Sequence, residues 1–220
     1  MKERPMPFTG ENVVAILEDR KTMTRRTRGL DTINKDPDNF VCLGSDFSEA
    51  ERLAFCIPGL LYFKFKSKDN TKLYHSKKNV TYSIDTLYIK CPYGIVGDLL
   101  WVRETYAILY PDKPVNPLYY KADGVEEDVK WKSSMFMPRW ASRINLENTT
   151  IRCERLQDIS YEDIIEEGFS VKSTLPTAEG TTGEVARKWY QKLWDSINGK
   201  KYPWVSNPFV WVVGFKVKEK

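Results

Sequence analysis

The alternation of apolar and polar positions divides the chain into a few helices and a larger set of strands. Thr9 stands as an N-cap before a segment in which Val13, Ile16 and Leu17 recur at helical spacing, which predicts a short amphipathic helix ending near Asp19. Residues 60–66 alternate Tyr, Phe and Lys, and 81–90 are rich in Tyr, Thr and Ile, so the two read as the strands of a hairpin. Turns at 92–94 and at Gly97-Asp98 lead into a strong strand over 99–106. A Pro-rich loop over 111–117 precedes a short strand at 119–122, and 135–143 show no clear periodicity. Residues 145–156 alternate as a strand. Ser160-Tyr-Glu-Asp163 is a capping-box pattern that opens a helix stopped by Gly168. The clearest helix covers 181–198, with Val185, Trp189, Leu193 and Ile197 on one stripe and Gly199 as the C′ glycine. A hydrophobic strand over 204–217 closes the pattern. Strands with a few helices give an α+β class, as a small barrel or a curved sheet.

Composition narrows the class further. The chain has 220 residues, 41% hydrophobic and 13% aromatic with seven Trp, enough to build a core and to exclude disorder of the whole. One domain over 1–220 is expected. No apolar run approaches the roughly 20 residues of a bilayer-spanning helix, and Met1-Lys-Glu-Arg-Pro5 lacks the apolar centre of a signal peptide. The expectation is a cytoplasmic protein with no membrane partner and an oligomeric state left open. The four cysteines, at 42, 56, 91 and 153, form no Cys-x-x-Cys, and His75 is the single histidine. That argues against a zinc finger and for free, mostly buried thiols. No metal or cofactor is expected. A Ser-His-Asp triad has only His75 to draw on, in a polar, loop-like stretch, so chemistry falls to Lys, Thr, Glu, Asp, Arg or Tyr.

A net charge of +4 permits nucleic-acid binding without arguing for it, and the distribution says more. Arg20, Lys21, Arg25, Arg26 and Arg28 form a run with no acid among them. Lys64, Lys66, Lys68, Lys72, Lys77 and Lys78 form a second cluster opposed by Asp69 alone. Such runs are commonly solvated faces. The arginine run stands out because it follows directly on the first helix.

Several segments resemble one family. They are Asp19-Arg-Lys21-Thr-Met-Thr24-Arg-Arg26 after a short helix, Gly97-Asp98-Leu-Leu-Trp-Val-Arg103, Leu156-Gln-Asp-Ile-Ser160 with the helix to Glu167-Gly168, and the closing Trp211-Val-Val-Gly-Phe-Lys216. Their order resembles the ASCH domain, a branch of the PUA-like superfamily. Cys91-Pro-Tyr-Gly94 and Met137-Pro-Arg-Trp-Ala-Ser-Arg143 are similar to phage- and prophage-encoded members. The resemblance covers 4–28, 95–107 and 145–218. It implies a PUA-like small β-barrel with flanking helices and two insertions, one at 30–90 carrying a hairpin and one at 107–140. The chain departs from the general motif twice, with Asp19 where Gly is usual and Thr24 where Glu is usual. The Lys-x-x-Thr version resembles the bacterial N4-acetylcytidine amidohydrolase branch, which implies Lys21, Thr24 and Glu167 as catalytic residues, with Glu166 the neighbouring alternative to Glu167.

The residues support that chemistry on their own terms. Amide hydrolysis needs a nucleophile, a proton acceptor and charge stabilisation. Thr24 offers a hydroxyl, a desolvated Lys21 can accept its proton, and Glu167 can orient the lysine or a water. The first functional expectation is a binding module, a phage accessory protein holding RNA, DNA or a modified nucleoside. Its contacts would be Arg20, Arg25, Arg26, Arg103, Arg139, Trp140 and Arg143. Trp140 is the preferred stacking residue, with Tyr93, Trp101 and Tyr106 as further aromatics and Trp101 expected in the barrel core. Arg103 is favoured over Glu104 for the cleft, and Asp98 is assigned to the turn. The alternative is an amidohydrolase acting on an N-acylated cytidine-like nucleoside. A third reading places function in insertions that bind a host protein.

Overall fold

The computed structural model describes residues 1–42, 60–65, 80–83, 86–108, 118–124, 129–170 and 181–218. The lysine cluster other than the backbone of Lys64, together with His75, Cys56 and the 111–117 loop, lies outside them.

The central sheet joins segments from both ends of the chain. β1 (Glu3–Pro7) pairs in parallel with β7 (Leu99–Arg103), and β10 (Asn145–Arg155) runs antiparallel to β7. β11 (Phe209–Lys218) lies antiparallel between β10 and β2 (Met23–Arg26), giving the order β1-β7-β10-β11-β2. No ladder among the described residues joins β1 to β2, so the sheet is open there and the expected closed barrel is not seen. The mixed α+β class stands.

β11 explains why the sheet is buried on both faces. Trp211, Val213 and Phe215 face one core, with α1 (Gly10–Leu17) and a second sheet. Val210 and Val212 face another, with α2 (Tyr161–Glu166) and α3 (Thr182–Asn198). A strand covered on both sides reads as a continuous apolar run, which is how Phe209–Phe215 reads.

The second sheet has the order β3 (Phe40–Cys42), β4 (Leu60–Phe65), β6 (Thr86–Lys90), β5 (Val80–Ser83). β4 pairs with β6 as expected, but the expected strand over 81–90 is two strands, β5 and β6, folded on each other. Phe40, Phe63, Leu87 and Ile89 enter the same core as α1, so this sheet is built into the molecule. A third, two-stranded sheet pairs β8 (Tyr106–Ile108) with β9 (Leu118–Tyr120).

Three local expectations are corrected. The strand expected over 99–106 breaks after Arg103, and its core face is Leu100 and Val102, so Trp101 is not in the core. It lies half-buried on the other face, flanked by the Arg103 and Arg139 guanidinium groups 5.5 and 5.9 Å from its ring. In α3 the buried face is Val185, Ala186, Tyr190 and Trp194, rotated from the expected stripe, and Ile197 is exposed. Gly199 caps α3 with right-handed φ −57°, so it is not a left-handed C′ residue.

Candidate functional site

The three expected catalytic residues arrive from different elements. Residues 20–22 leave α1 and run beside the end of α2. Arg20 and Lys21 N–H donate to the Ala15 carbonyl, and Thr22 N–H donates to the Glu166 carbonyl at 2.9 Å. Lys21 and Glu167 form an antiparallel bridge at this point. Gly168 follows with φ +105°, a left-handed conformation that suits glycine, and it turns the chain away immediately after Glu167. Thr24 lies on β2, the edge strand of the central sheet, opposite Val213.

The result is a buried charged centre. Lys21 and Glu167 are 3% and 4% exposed. Lys21 Nζ donates to Glu167 Oε2 at 2.5 Å and to the Glu167 carbonyl at 2.8 Å. Glu167 Oε1 accepts from the Tyr190 hydroxyl at 3.3 Å and from Arg25 Nη1 at 3.4 Å. Burial pulls the Lys21 pKa down from its ordinary value, and the neighbouring Arg26 and Arg25 charges add to this. The Glu167 carboxylate offsets the fall only in part. Burial pushes the Tyr190 phenol far up, reinforced by the Glu167 charge, so Tyr190 stays a donor. Glu166, the sequence alternative to Glu167, is exposed.

Lys21, Thr24, Arg25, Arg26, Glu167 and Tyr190 line one cleft of about 30 Å³, closed on one side by Leu193, Trp194, Ile197 and Asn198 of α3. That interior holds about two waters, or the end of a short acyl group. Asn12, Arg26, Leu193 and Ile197 are shared with a larger groove of about 790 Å³ on the side of α1 and residues 121–124. A small polar interior opening onto a wide groove can hold a reacting group inside and the rest of a substrate outside.

The residues expected to contact nucleic acid are placed differently. The Arg25 side chain is fully buried and binds Glu154 and Asp163 as well as Glu167, so it is a hub of the fold and not a surface cation. Its pKa is raised, the surrounding carboxylates and Tyr190 outweighing burial. Arg20 Nε pairs with Glu18 at 2.7 Å, and its Nη1 reaches the Gly168 carbonyl. Arg139 pairs with Glu3 and Asn145. Arg143 bridges Glu104 and Asp123 and stacks on the Tyr120 ring at 4.0 Å. Glu104, rather than Arg103, is the buried member of its pair of neighbours, 1% exposed. Trp140 is 65% exposed, as a stacking residue requires, whereas Tyr93 and Tyr106 are core residues and cannot stack on a ligand. Arg103 is not part of the Lys21 cleft.

Sequence reasoning missed Tyr190, Asn12 and the carboxylates of Glu154 and Asp163. Tyr190 sits one residue off the expected α3 stripe, and nothing local marks it as the Glu167 donor. Among the described residues no cluster of His, Cys, Asp or Glu fits a metal ion, and no helix is long and apolar enough to cross a membrane. Cys42, Cys91 and Cys153 are buried thiols, and burial pushes Cys91 up to about 12.

No protein-family model, curated protein or solved structure matches this chain.

Proposed function

We propose that the chain is a hydrolase of the amide-cleaving type, with Thr24 as nucleophile, Lys21 as general base and Glu167 as the group that orients Lys21. The observation that carries this reading is the burial of Lys21 and Glu167, 146 residues apart in sequence, as a hydrogen-bonded pair in the cleft that Thr24 also lines. A lysine drawn down by desolvation is the kind of base that can take a proton from a hydroxyl.

In this scheme neutral Lys21 Nζ takes the Thr24 hydroxyl proton as Oγ1 attacks the substrate's acyl carbon. The bond to nitrogen breaks, and the Lys21 ammonium returns the proton to the leaving amine. Water then attacks the Thr24 ester, again with Lys21 as base, and the carboxylic acid and free Thr24 are released. Tyr190 and Arg25 hold Glu167 in place throughout. The 30 Å³ interior favours a short acyl group, such as acetyl.

The fold behind this proposal is PUA-like, of the ASCH type, and the substrate class it suggests is an N-acylated cytidine-like nucleoside. The order of the motif segments supports the assignment, as does the positive φ of Asp19 at the position where that family uses Gly. The binding reading has one observation in its favour, the exposed Trp140 beside Arg139. It has less support than the hydrolase reading, because Arg20, Arg25, Arg139 and Arg143 already have carboxylate partners.

The test is incubation of the purified protein with a panel of N4-acylated cytidines, following release of the acyl group, with Lys21→Ala and Thr24→Ala alongside. Turnover abolished by each substitution in a folded protein supports the assignment. No turnover by the folded wild type removes it.

A further inference from the structure

The groove beside the cleft has an electrostatic character that the hydrolase reading does not use. Its volume of about 790 Å³ lies within the range of small-molecule sites. Among the described residues two cations stand on its walls, Arg26 from β2 and Lys121 from the turn after β9. Among the described residues neither has a carboxylate partner, which sets Arg26 apart from Arg20 and Arg25 in the same run. Arg26 is held in place without being neutralised. Its Nη2 donates to the Pro7 carbonyl at 2.8 Å, and its guanidinium lies over the Phe8 ring at 5.0 Å. Nη1 is left for another acceptor. The first turn of α1 lines the same groove, and Thr9 makes no side-chain cap to it. Among the described residues the one carboxylate on the groove wall is Glu11.

We infer that this groove binds a phosphate ester, so the molecule whose acyl group enters the Lys21 cleft is a nucleotide and not a free nucleoside. The inference rests on the hydrolase reading for what enters the cleft, and on the groove alone for the phosphate. Arg26 stands at the junction, lining both spaces, and fixes the phosphate relative to the reacting end. A guanidinium with a free nitrogen and an exposed ammonium suit a phosphate better than a carboxylate-rich wall would. The phosphate can belong to a mononucleotide or to a nucleic-acid backbone.

The experiment compares binding of nucleosides, their 5′-monophosphates and short single-stranded oligonucleotides to the full chain by calorimetry, with inorganic phosphate as competitor. None of these probes is acylated, so the result does not depend on turnover. The expected result is that monophosphates bind about tenfold or more tightly than nucleosides, the equivalent of one charge-assisted contact. Arg26→Gln and Lys121→Gln should each remove most of that preference, and added salt should weaken it. A further gain with oligonucleotides assigns the phosphate to a strand, and none assigns it to a free nucleotide. Equal affinity for nucleoside and monophosphate overturns the inference, as does a preference untouched by both substitutions. Phosphate-dependent binding without hydrolysis of any acylated nucleotide removes the hydrolase reading and leaves the groove assignment standing. Hydrolysis indifferent to phosphate does the reverse.

Discussion

Lys21 and Glu167 meet twice, through side chain and backbone: Nζ reaches Oε2 at 2.5 Å and the carbonyl of the same residue at 2.8 Å. A lysine held in this way has no freedom to seek water, and burial draws its pKa below the ordinary 10.5 despite the carboxylate. The activity should therefore rise with pH along a limb below the lysine range, as neutral Lys21 becomes available. Glu167→Gln removes the charge that opposes the shift, so the limb should move to lower pH while the maximal rate falls. A pH–rate profile of both proteins checks this. An unmoved limb in the variant would mean that another group is the base.

The same shift has a consequence for stability. The folded chain binds the Lys21 proton less tightly than the unfolded chain does. The cost of the buried ammonium is thus fully present below the folded pKa and is relieved as pH rises towards 10.5. Wild-type stability should rise across that alkaline window relative to Lys21→Met, measured by urea unfolding at several pH values. Lys21→Met itself should cost about 3–5 kcal/mol at neutral pH, because Glu167 Oε2 is left buried without its partner while Arg25 and Tyr190 hold only Oε1.

Thr24→Ala should lower turnover by about 10³-fold or more, as loss of a nucleophile does in acting catalytic sets, while leaving the melting temperature nearly unchanged. Thr24→Ser keeps a hydroxyl and should retain measurable turnover. Equal loss in both variants would argue that Thr24 shapes the cleft rather than attacking the substrate.

Arg25 is expected to behave as a structural residue. Three carboxylates, Glu154, Asp163 and Glu167, converge on its buried guanidinium, and Arg152 shares the first two. Arg25→Met leaves buried negative charge without its main partner and should cost about 3–5 kcal/mol. Arg25→Lys cannot reproduce a fork that serves three acceptors and should recover only part of that. Thermal melts of the two variants decide the point.

What was legible in the sequence was local. The Thr9 and Ser160 caps and the alternation of β10 mark their elements because each signal lies within a few residues of what it specifies. Trp101 was misread because Leu99 and Leu100 are both buried, so either alternation of β7 looks like a core face. The turns over 134–141 gave no signal because distant groups hold them, as where the Tyr120 hydroxyl reaches the Ala141 carbonyl. The arginine run looked like open positive surface for the same reason. The carboxylates that neutralise Arg25 lie 129 to 142 residues away. Lys21, Thr24 and Glu167 emerged through the motif resemblance, and no pattern of periodicity would have joined them.

Asp19 occupies the left-handed region with φ +54°. It sits at the tight exit from α1, where Asp19 N–H donates to Ile16 O and Arg20 N–H returns to Ala15 O. A non-glycine residue there is strained by about 1 kcal/mol, less for Asp than for a branched side chain. Asp19→Gly should therefore raise stability by up to about 1 kcal/mol, and Asp19→Val should lower it by more. Because Lys21 is two residues on, Asp19→Val should also impair turnover. Differential scanning calorimetry together with the acyl-release assay checks both.

Asp98 anchors the turn that starts β7, and its behaviour in acid can be read from its partners. Burial works against its carboxylate. Hydrogen bonds from Lys2 N–H at 2.8 Å, Arg4 Nη1 at 2.7 Å and Ile95 N–H at 3.3 Å outweigh that and hold the pKa below its ordinary value. A carboxylate depressed in the folded state stabilises the fold above its unfolded pKa of about 3.8, and that contribution is lost as pH falls through the lower folded value. Asp98→Asn should cost about 2 kcal/mol at neutral pH and progressively less in acid, as the wild type loses the same contribution. Gly94 gives an independent test of this anchor. It has φ +96°, and a Cβ there would fall 2.4 Å from Arg4 Nη1 and 2.5 Å from Asp98 Oδ2. Gly94→Ala should therefore break the Arg4–Asp98 pair from outside and cost about 3 kcal/mol, combining backbone strain with the lost contacts. In a double-mutant cycle with Asp98→Asn the two losses should be clearly less than additive, because both remove the same anchor of β1 to β7.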